Sequence, residues 1–509
     1  MPDCDVLVIG AGPAGCGAAR LLAAWGHRVI VVDRPADEAR ALAESIPPSA
    51  RKVLGALGML TAIEDAGFPP WQGTLVWWSP VTPDAEPRAE SFPAGVTGYQ
   101  VVRRVFDRTL RALAVESGAT LVRGLARDVV VPGVGPAGPG RDTPHAVVAA
   151  DGGTRTVSAS FVLDCSGRAG VVARQGLRRA ESSHHTVALV GVWRPHDDSA
   201  ATRAAWPPGD TRTLVAAAAD GWAWSVPTPA GTRYVTAMVD PKRTALARGR
   251  ASREVYLEAL AGIRPLQPLL RPATLERGPW GADAALYSAD RFAGPGYLLV
   301  GDAGCFIDPL SSFGVKKALA SGWLAAIVTH TALVRPALRD EALAFFERRE
   351  RQVYASARAQ AAAFAGEAAA DSGHPFWLVR AGATDDPAFD DDVDAATLGR
   401  DREVVAAFED LRRRPSVRFR TGTATRVGPR AAVRGREIVM DDHLFLPAWP
   451  GGVRYLRGVD LVSLVRLAPA HADVGDLIEA FAREHGPVAL PDFLGALATL
   501  VAKGGLAYE

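Results

Sequence analysis

Three glycines at fixed spacing, Gly10-Ala11-Gly12-Pro13-Ala14-Gly15, are the first residues of this 509-residue chain arranged for chemistry. They follow the apolar run Val6-Leu7-Val8-Ile9 and open a helical stretch, Ala14 to Ala24. Such glycines permit a tight turn, a close backbone approach to a pyrophosphate and close helix–strand packing. The helix that follows aims its amide dipoles at the phosphates. A second apolar run, Val29-Ile30-Val31-Val32, ends in Asp33, where an acid is expected to hold ribose hydroxyls. Strand, turn, helix and acid in this order predict dinucleotide binding.

The same spacing recurs in Gly133-Val134-Gly135-Pro136-Ala137-Gly138, but Pro136 and Pro139 forbid a comparable helix there. We read it as the loop of a hairpin between Asp128-Val129-Val130-Val131 and Ala146-Val147-Val148-Ala149. Two further segments carry chemistry. One is Tyr297-Leu298-Leu299-Val300-Gly301-Asp302-Ala303, running into Asp308-Pro309-Leu310-Ser311-Ser312-Phe313-Gly314-Val315. The other is Gly221-Trp222-Ala223-Trp224-Ser225-Val226-Pro227. The adjacent pair His184 and His185 offers a general base toward a phenol or indole N–H. Neighbours on a strand face opposite ways, so at most one of the two points inward.

The elements that must position these residues follow from patterning. Residues 1–35 predict a βαβ unit. Pro47 and Pro48 set a turn, with Ser49 as N-cap of a helix to Ala56. Gln100–Ser117 predicts a strand-to-helix step holding Arg103 and Phe106-Asp107. Ser160–Gly170 predicts a strand and a tight turn. Thr186–Val239 alternates apolar and polar residues and predicts a sheet roofing a substrate cavity. Helices are expected over Val315–His330 and Glu341–Phe364. Asp385–Asp394 reads as a solvated acidic connector. Beyond it, Val427–Met440 predicts strand, turn, strand. Asp460–Leu467, Asp473–Ala482 and Leu490–Ala502 predict helices, and Leu506-Ala507-Tyr508 a closing strand. Leu464, Leu467, Leu477 and Phe481 sit at helical spacing, as core residues do. Three helices with a small sheet resemble a winged-helix module, expected to act as a dimerisation element, a lid, or a dock for a carrier or peptide.

Composition narrows the function classes. The length suits two or three domains, and 48% hydrophobic residues can build a large core. A net charge of +1 gives no electrostatic reason to expect nucleic acid. Cys4, Cys16, Cys165 and Cys305 have no metal-ligand spacing and read as buried reduced thiols, so no metal is expected. Arginine outnumbers lysine 52 to 5, so a catalytic lysine must be Lys52, Lys242, Lys316, Lys317 or Lys503. The first strand begins at once, leaving no room for a signal peptide, and no apolar run is expected to reach membrane length. A soluble, cytoplasmic protein is expected.

With these motifs assembled, the chain resembles the flavin-dependent halogenases and their monooxygenase relatives, on the p-hydroxybenzoate-hydroxylase-like FAD fold, over about residues 3–365. Glu44-Ser45, Arg103 before Phe106-Asp107, the turn Asp164-Cys165-Ser166-Gly167 and the step Gly301-Asp302 all match that group. Trp222-Ala223-Trp224-Ser225-Val226-Pro227 resembles its WxWxIP motif, with Val226 for Ile. The resemblance implies FAD and O2 as cofactor and co-substrate. With no second dinucleotide fold, electrons are expected from NAD(P)H by a transient contact or through a separate flavin reductase. The implied cofactor-binding set is Gly10, Gly12, Pro13, Ala14 and Gly15, with Asp33, Arg34, Glu44, Ser45 and Arg103. Gly301, Asp302, Pro309, Gly314 and Val315 complete it. Gly301-Asp302 would contact the ribityl chain, and the Pro309–Val315 loop would cover the isoalloxazine.

The sequence departs from halogenases in three places. They carry a lysine a little after the Glu-Ser step. Here that stretch is Ala66-Gly67-Phe68-Pro69-Pro70-Trp71-Gln72-Gly73-Thr74, and Gln72 falls about where the lysine is expected. A neutral amide cannot replace an ammonium there. Ser311 stands where tryptophan halogenases place a glutamate, and Phe313 where a small residue usually flanks the halide. The expected enzyme is therefore an FAD-dependent monooxygenase working through a flavin C4a-hydroperoxide. Its expected substrate is aromatic, free or tethered to a carrier or peptide, in secondary metabolism or peptide maturation. Candidate catalytic residues are Gln72, His184, Trp222, Trp224 and Ser312. The alternatives are a halogenase lacking the usual lysine, a geranylgeranyl-reductase-like flavin reductase, and a non-catalytic flavoprotein adaptor. The expected fold is α/β, a Rossmann-type FAD-binding domain over 1–365 with an inserted antiparallel sheet (about 66–100 and 180–285). A helical and acidic connector over 366–425 and a small α+β winged-helix-like module over 426–509 follow.

Overall fold

The apolar runs that bracket the glycine turn form neighbouring parallel strands. In the computed structural model, which describes residues 1–35, 40–82, 86–135, 142–181, 183–382, 398–414 and 416–509, Cys4–Ile9 pairs in parallel with Val29–Asp33 and with Gly153–Asp164. Thr120–Val130 and Tyr297–Leu299 extend this sheet at its two sides. Val6 to Ile9 are all buried, as a central parallel strand covered on both faces requires. Ile9 lies level with Val32 and Asp164, so the carboxyl ends of three strands line up where ligands bind in open α/β sheets. Ser49 does stand at the N-cap of helix Ala50–Ala56, but its side chain makes no capping hydrogen bond. The hairpin strands around the second glycine motif form as Thr120–Val130 and His145–Ala150, paired antiparallel. Residues 136–141 of that loop lie outside the described residues.

The alternating segment builds a second, seven-stranded sheet. Its order is Ala273–Asp283, Val187–Pro195, Arg233–Val239, Gly221–Pro227, Thr213–Ala218, Thr74–Trp77 and Arg88–Glu90. All pairings are antiparallel except that of Thr213–Ala218 with Thr74–Trp77. A small sheet of Ala43–Ile46, Gly98–Val102 and Pro70–Trp71 carries the Glu44-Ser45 step. The sequence did not signal the short helix Ala200–Ala205, which interrupts the strands and is capped by Ser199.

Helix Gly314–Val334 corrects one expectation. It spans 21 residues, and its most apolar 18-residue window has a mean hydropathy of 1.3, long and apolar enough to cross a membrane, yet 72% of that window is buried inside the fold. It is hydrophobic all round because it is a core helix, packed against Pro13–Ala24.

The chain divides into two compact units, Met1–Pro387 and Ala388–Glu509. This differs from a connector over 366–425. Helix Arg339–Ser372 runs well past Phe364, and helix Pro375–Ala381 follows it. Phe376 and Trp377, both buried, pack into a cluster with Trp78 and Trp222 of the first unit. Leu411 on helix Arg402–Arg413 and Phe419 instead belong to the core of the second unit. The acidic stretch Asp385–Asp394 lies outside the described residues.

The second unit is α+β. Arg426–Arg434, Glu437–Leu446 and Trp449–Val453 form a three-stranded sheet, and Leu506–Tyr508 closes on Phe419–Thr421. Helices Leu461–Leu467, Val474–His485 and Leu490–Ala502 supply its core. Leu464, Leu477 and Phe481 are fully buried there, and Leu467 packs at its margin.

Candidate functional site

A cavity of about 630 Å³ lies between the carboxyl ends of the parallel strands and the inner face of the antiparallel sheet. That is within the usual range for a ligand site. The glycine turn forms one end. Gly10 adopts φ +104°, in the region that favours glycine. An added Cβ on Gly15 would meet the Gly10 carbonyl oxygen at 1.9 Å, so Gly15 lies behind the cavity as a packing residue. Gly12 lines the cavity, and a Cβ there would find nothing within 4 Å. Its open side is the space a pyrophosphate would take. Pro13, Ala14 and Arg34 line the same end. Asp33 Oδ1 accepts the Ala11 amide at 2.9 Å, which fixes its carboxylate beside the turn.

Sequence reasoning missed Arg111. Its Nε donates to the Ala11 carbonyl at 3.3 Å and stands 3.5 Å from Asp33 Oδ2. A signal existed: Arg103, Asp107 and Arg111 repeat at four-residue spacing, which puts them on one face of helix Arg103–Glu116. Arg103 Nη1 donates to Glu44 Oε1 at 2.7 Å, and its Nε and Nη2 grip both Asp107 oxygens at 3.0 and 3.1 Å. Burial works against the Arg103 charge, but Asp107 and Glu44 outweigh it and hold the guanidinium above its ordinary value. Ser45 lines the cavity, while its hydroxyl is committed to Gln100 Oε1 at 2.7 Å and Thr213 Oγ1 at 2.6 Å.

The far end is built by the second glycine step. Asp302 lines the cavity; Gly301 lies just behind it at φ +63°. Lys317 Nζ stands 2.9 Å from Asp302 Oδ1. Pro309, Ser312, Gly314 and Val315 complete this end. Ser312 holds a left-handed conformation, φ +51°, uncommon for a residue with a side chain and of a kind found at ligand sites. Asp308 Oδ1 caps the turn by accepting the Leu310 amide at 3.0 Å.

Trp222 and Trp224 form the roof. Two residues apart on one strand, they share a face and stack with ring centroids 4.9 Å apart at 28°. Trp78 backs Trp222 edge-on at 6.4 Å and contacts Trp377 at 5.3 Å. Asp283 and Arg168, also missed, sit at the solvent edge with Arg168 Nη2 3.5 Å from Asp283 Oδ2. No lysine is found among the described lining residues.

Three predicted residues lie elsewhere. Gln72 is exposed outside the cavity and accepts the Thr211 amide at 3.2 Å. Trp71 and Gly73 on either side are buried, so backbone alternation turns Gln72 outward. His185 is exposed and reaches the cavity only through Asp283, with Nε2 3.0 Å from Oδ1. His184 is half-buried against Ser183 and does not line the cavity. Burial, then the Arg380 charge, lowers its pKa from 6.5 to about 4. A depressed histidine leaves the unfolded chain binding more protons between those values, so its contribution to stability is lost as pH falls from about 6.5 toward 4. Thermal melts of a His184→Gln variant should lose less stability over that window than the parent. Equal losses would contradict this placement.

The continuous cavity, open at Gly12 and lined by Asp33, Asp302 and the Pro309–Val315 loop, fits a flavin dinucleotide lying from the first glycine turn to the second. The comparisons agree. The FAD binding domain family matches residues 3–320. A flavin-dependent halogenase of Armillaria mellea, armH3, is 30% identical over 373 residues, covering 69% of this chain and 72% of that protein. Other curated halogenases match at 28–29% identity, and the chain spans slightly under two thirds, 64–66%, of the length of the first three. Among solved structures, the flavin-dependent halogenase CmlS superposes with a TM-score of 0.76 at 22% identity, covering 100% of this chain and 96% of that one. The peptidyl tryptophan dihydroxylase QhpG superposes at 0.67 and 24% identity, covering 99% of each. This chain belongs to the FAD-binding-domain family, in the group of the flavin-dependent halogenases and their monooxygenase relatives, and its cofactor is FAD.

Proposed function

We propose that the protein is an FAD-dependent monooxygenase that places an oxygen atom on an electron-rich aromatic ring, free or carried on a peptide or carrier. The observation that carries this reading is the cavity itself. It joins a dinucleotide cradle to a stacked tryptophan pair and has no lysine among its described lining residues. The resemblance gives halogenases a lysine a little after the Glu-Ser step, where this chain has Gln72, turned outward from the cavity. The same fold serves a protein named for dihydroxylation of peptidyl tryptophan, which supports a peptide-borne indole as the substrate class.

Bound FAD supplies the oxygen-activating step, and electrons come from NAD(P)H through a separate reductase. The protein supplies position and a dry space. Gly12 and its helix N-terminus would hold the pyrophosphate, and Asp33 the ribose. Arg103, clamped by Glu44 and Asp107, fixes the wall. Trp224, backed by the buried Trp222, presents a flat apolar face on which an aromatic ring stacks, and Ser312 offers a hydroxyl at the loop over the cofactor. One oxygen atom enters the ring and the other leaves as water, with two electrons and two protons consumed.

The test is turnover under ¹⁸O₂ with a reductase, NAD(P)H and either free indoles or tryptophan-containing peptides. The proposal expects heavy oxygen in the product. Product carrying only solvent oxygen, or reduction of substrate without O2, would overturn it. A halogenase reading is favoured by the Trp222–Pro227 motif and by the curated relatives, and predicts halide in the product instead.

A further inference from the structure

Behind the second glycine step lies a buried group that the proposed reaction does not use. Glu350, on helix Arg339–Ser372, is 2% exposed, and its Oε2 has no hydrogen-bond partner. The Ser321 hydroxyl helps stabilise its charged form, and that same Oγ accepts the Gly301 amide at 2.8 Å. Glu350 also feels the charge of Lys317, which stands 2.9 Å from Asp302 Oδ1 and donates to the Cys305 carbonyl. Both residues of the Gly301-Asp302 step are thus held by side chains of helix Gly314–Val334, Ser321 and Lys317, that also act on the buried Glu350.

We propose that Glu350 is a positioning residue for the Gly301-Asp302 step, and that loss of its proton makes the bound FAD harder to reduce. This rests on the cofactor reading above.

The argument is one of charge. Lys317 is ion-paired with Asp302, and its charge also acts on the Glu350 carboxyl. Arg349, whose guanidinium bonds Gln352, adds a weaker attraction, and the Cys305 thiol is kept neutral by burial. One buried ammonium compensates one carboxylate, so the second carboxyl is left to keep its proton. Burial, opposed by Lys317 and Ser321, pushes Glu350 up to about 7. Below that value the trio Asp302, Lys317 and Glu350 is neutral; above it, the trio carries one negative charge. Reduction adds electrons to the flavin, and a negative charge behind the Gly301-Asp302 step would oppose it. Reduction therefore draws a proton onto Glu350 across neutral pH.

The midpoint potential of the FAD-bound full-length protein should be followed against pH by spectroelectrochemistry, in the parent, Glu350→Gln and Lys317→Met. The parent should show a steeper fall around neutrality. Glu350→Gln keeps the shape without the titration, so its extra fall should vanish, leaving it easier to reduce than the parent at alkaline pH and matched at acid pH. Lys317→Met should move the break to higher pH. A parent with one slope throughout, or coincident profiles for the parent and Glu350→Gln, would overturn the inference even if a variant failed to fold. A parent that takes up no FAD would overturn the cofactor reading and this inference together.

Discussion

Replacing Gly12 by valine abolishes FAD binding and leaves the apoprotein as stable as the parent. Gly12 has φ −81°, a conformation open to any residue, and an added Cβ meets nothing within 4 Å. The new side chain therefore costs the fold little and fills the space of the pyrophosphate. Affinity should fall more than about 100-fold, or roughly 2.7 kcal/mol. Gly15→Val is the matched control with the opposite signature. Its Cβ meets the Gly10 carbonyl oxygen at 1.9 Å, backbone against backbone, so the chain must shift. That variant should lose at least about 3 kcal/mol of stability, the upper end for overpacking. Fluorescence titration with FAD and thermal melts of both apoproteins separate the two cases. Equal loss of stability in both variants would contradict the assignment of Gly12 to the ligand and Gly15 to the fold.

The tryptophan pair should divide in the same way. Trp222 is 3% exposed and wedged between Trp224 and Trp78, so Trp222→Ala should cost about 3–5 kcal/mol of stability. Trp224 is only partly buried and presents a face to the cavity. Trp224→Ala should keep the fold and the FAD, yet lose product about 10- to 100-fold through poorer positioning. Oxygen consumption should continue, so the yield of product per O2 falls. An unchanged yield would remove Trp224 from substrate positioning.

What was legible in the sequence was local. The turn at Gly10–Gly15, the acid at Asp33 and the step at Gly301-Asp302 are each specified by adjacent residues, and all lie at or directly behind the cavity. Helices such as Gly314–Val334 follow from patterning alone. Contacts made across the chain were not legible. Asp283 and Arg168 meet at the solvent edge from segments more than one hundred residues apart, with no shared pattern. His184 is held neutral partly by Arg380, on helix Pro375–Ala381, within the stretch read as connector. Gln72 was placed by its distance from the Glu44-Ser45 step. The burial of Trp71 and Gly73 decides its direction, and that depends on strands 98–102 and 88–90 arriving beside them. In the second unit, helix Arg402–Arg413 escaped notice although its apolar stripe, including Val404 and Leu411, is buried.

The measurement that tests the central claim most directly is halide use by the purified FAD-bound protein. Reduced flavin, O2 and bromide would be supplied together with monochlorodimedone as a halogen acceptor. A cavity without a lysine among its described lining residues should brominate the acceptor no faster than free FAD, at any bromide concentration, while oxygen still enters an aromatic substrate. Bromination that exceeds free FAD and saturates with bromide would contradict direct oxygen transfer and make the protein a halogenase with an unfamiliar halide path.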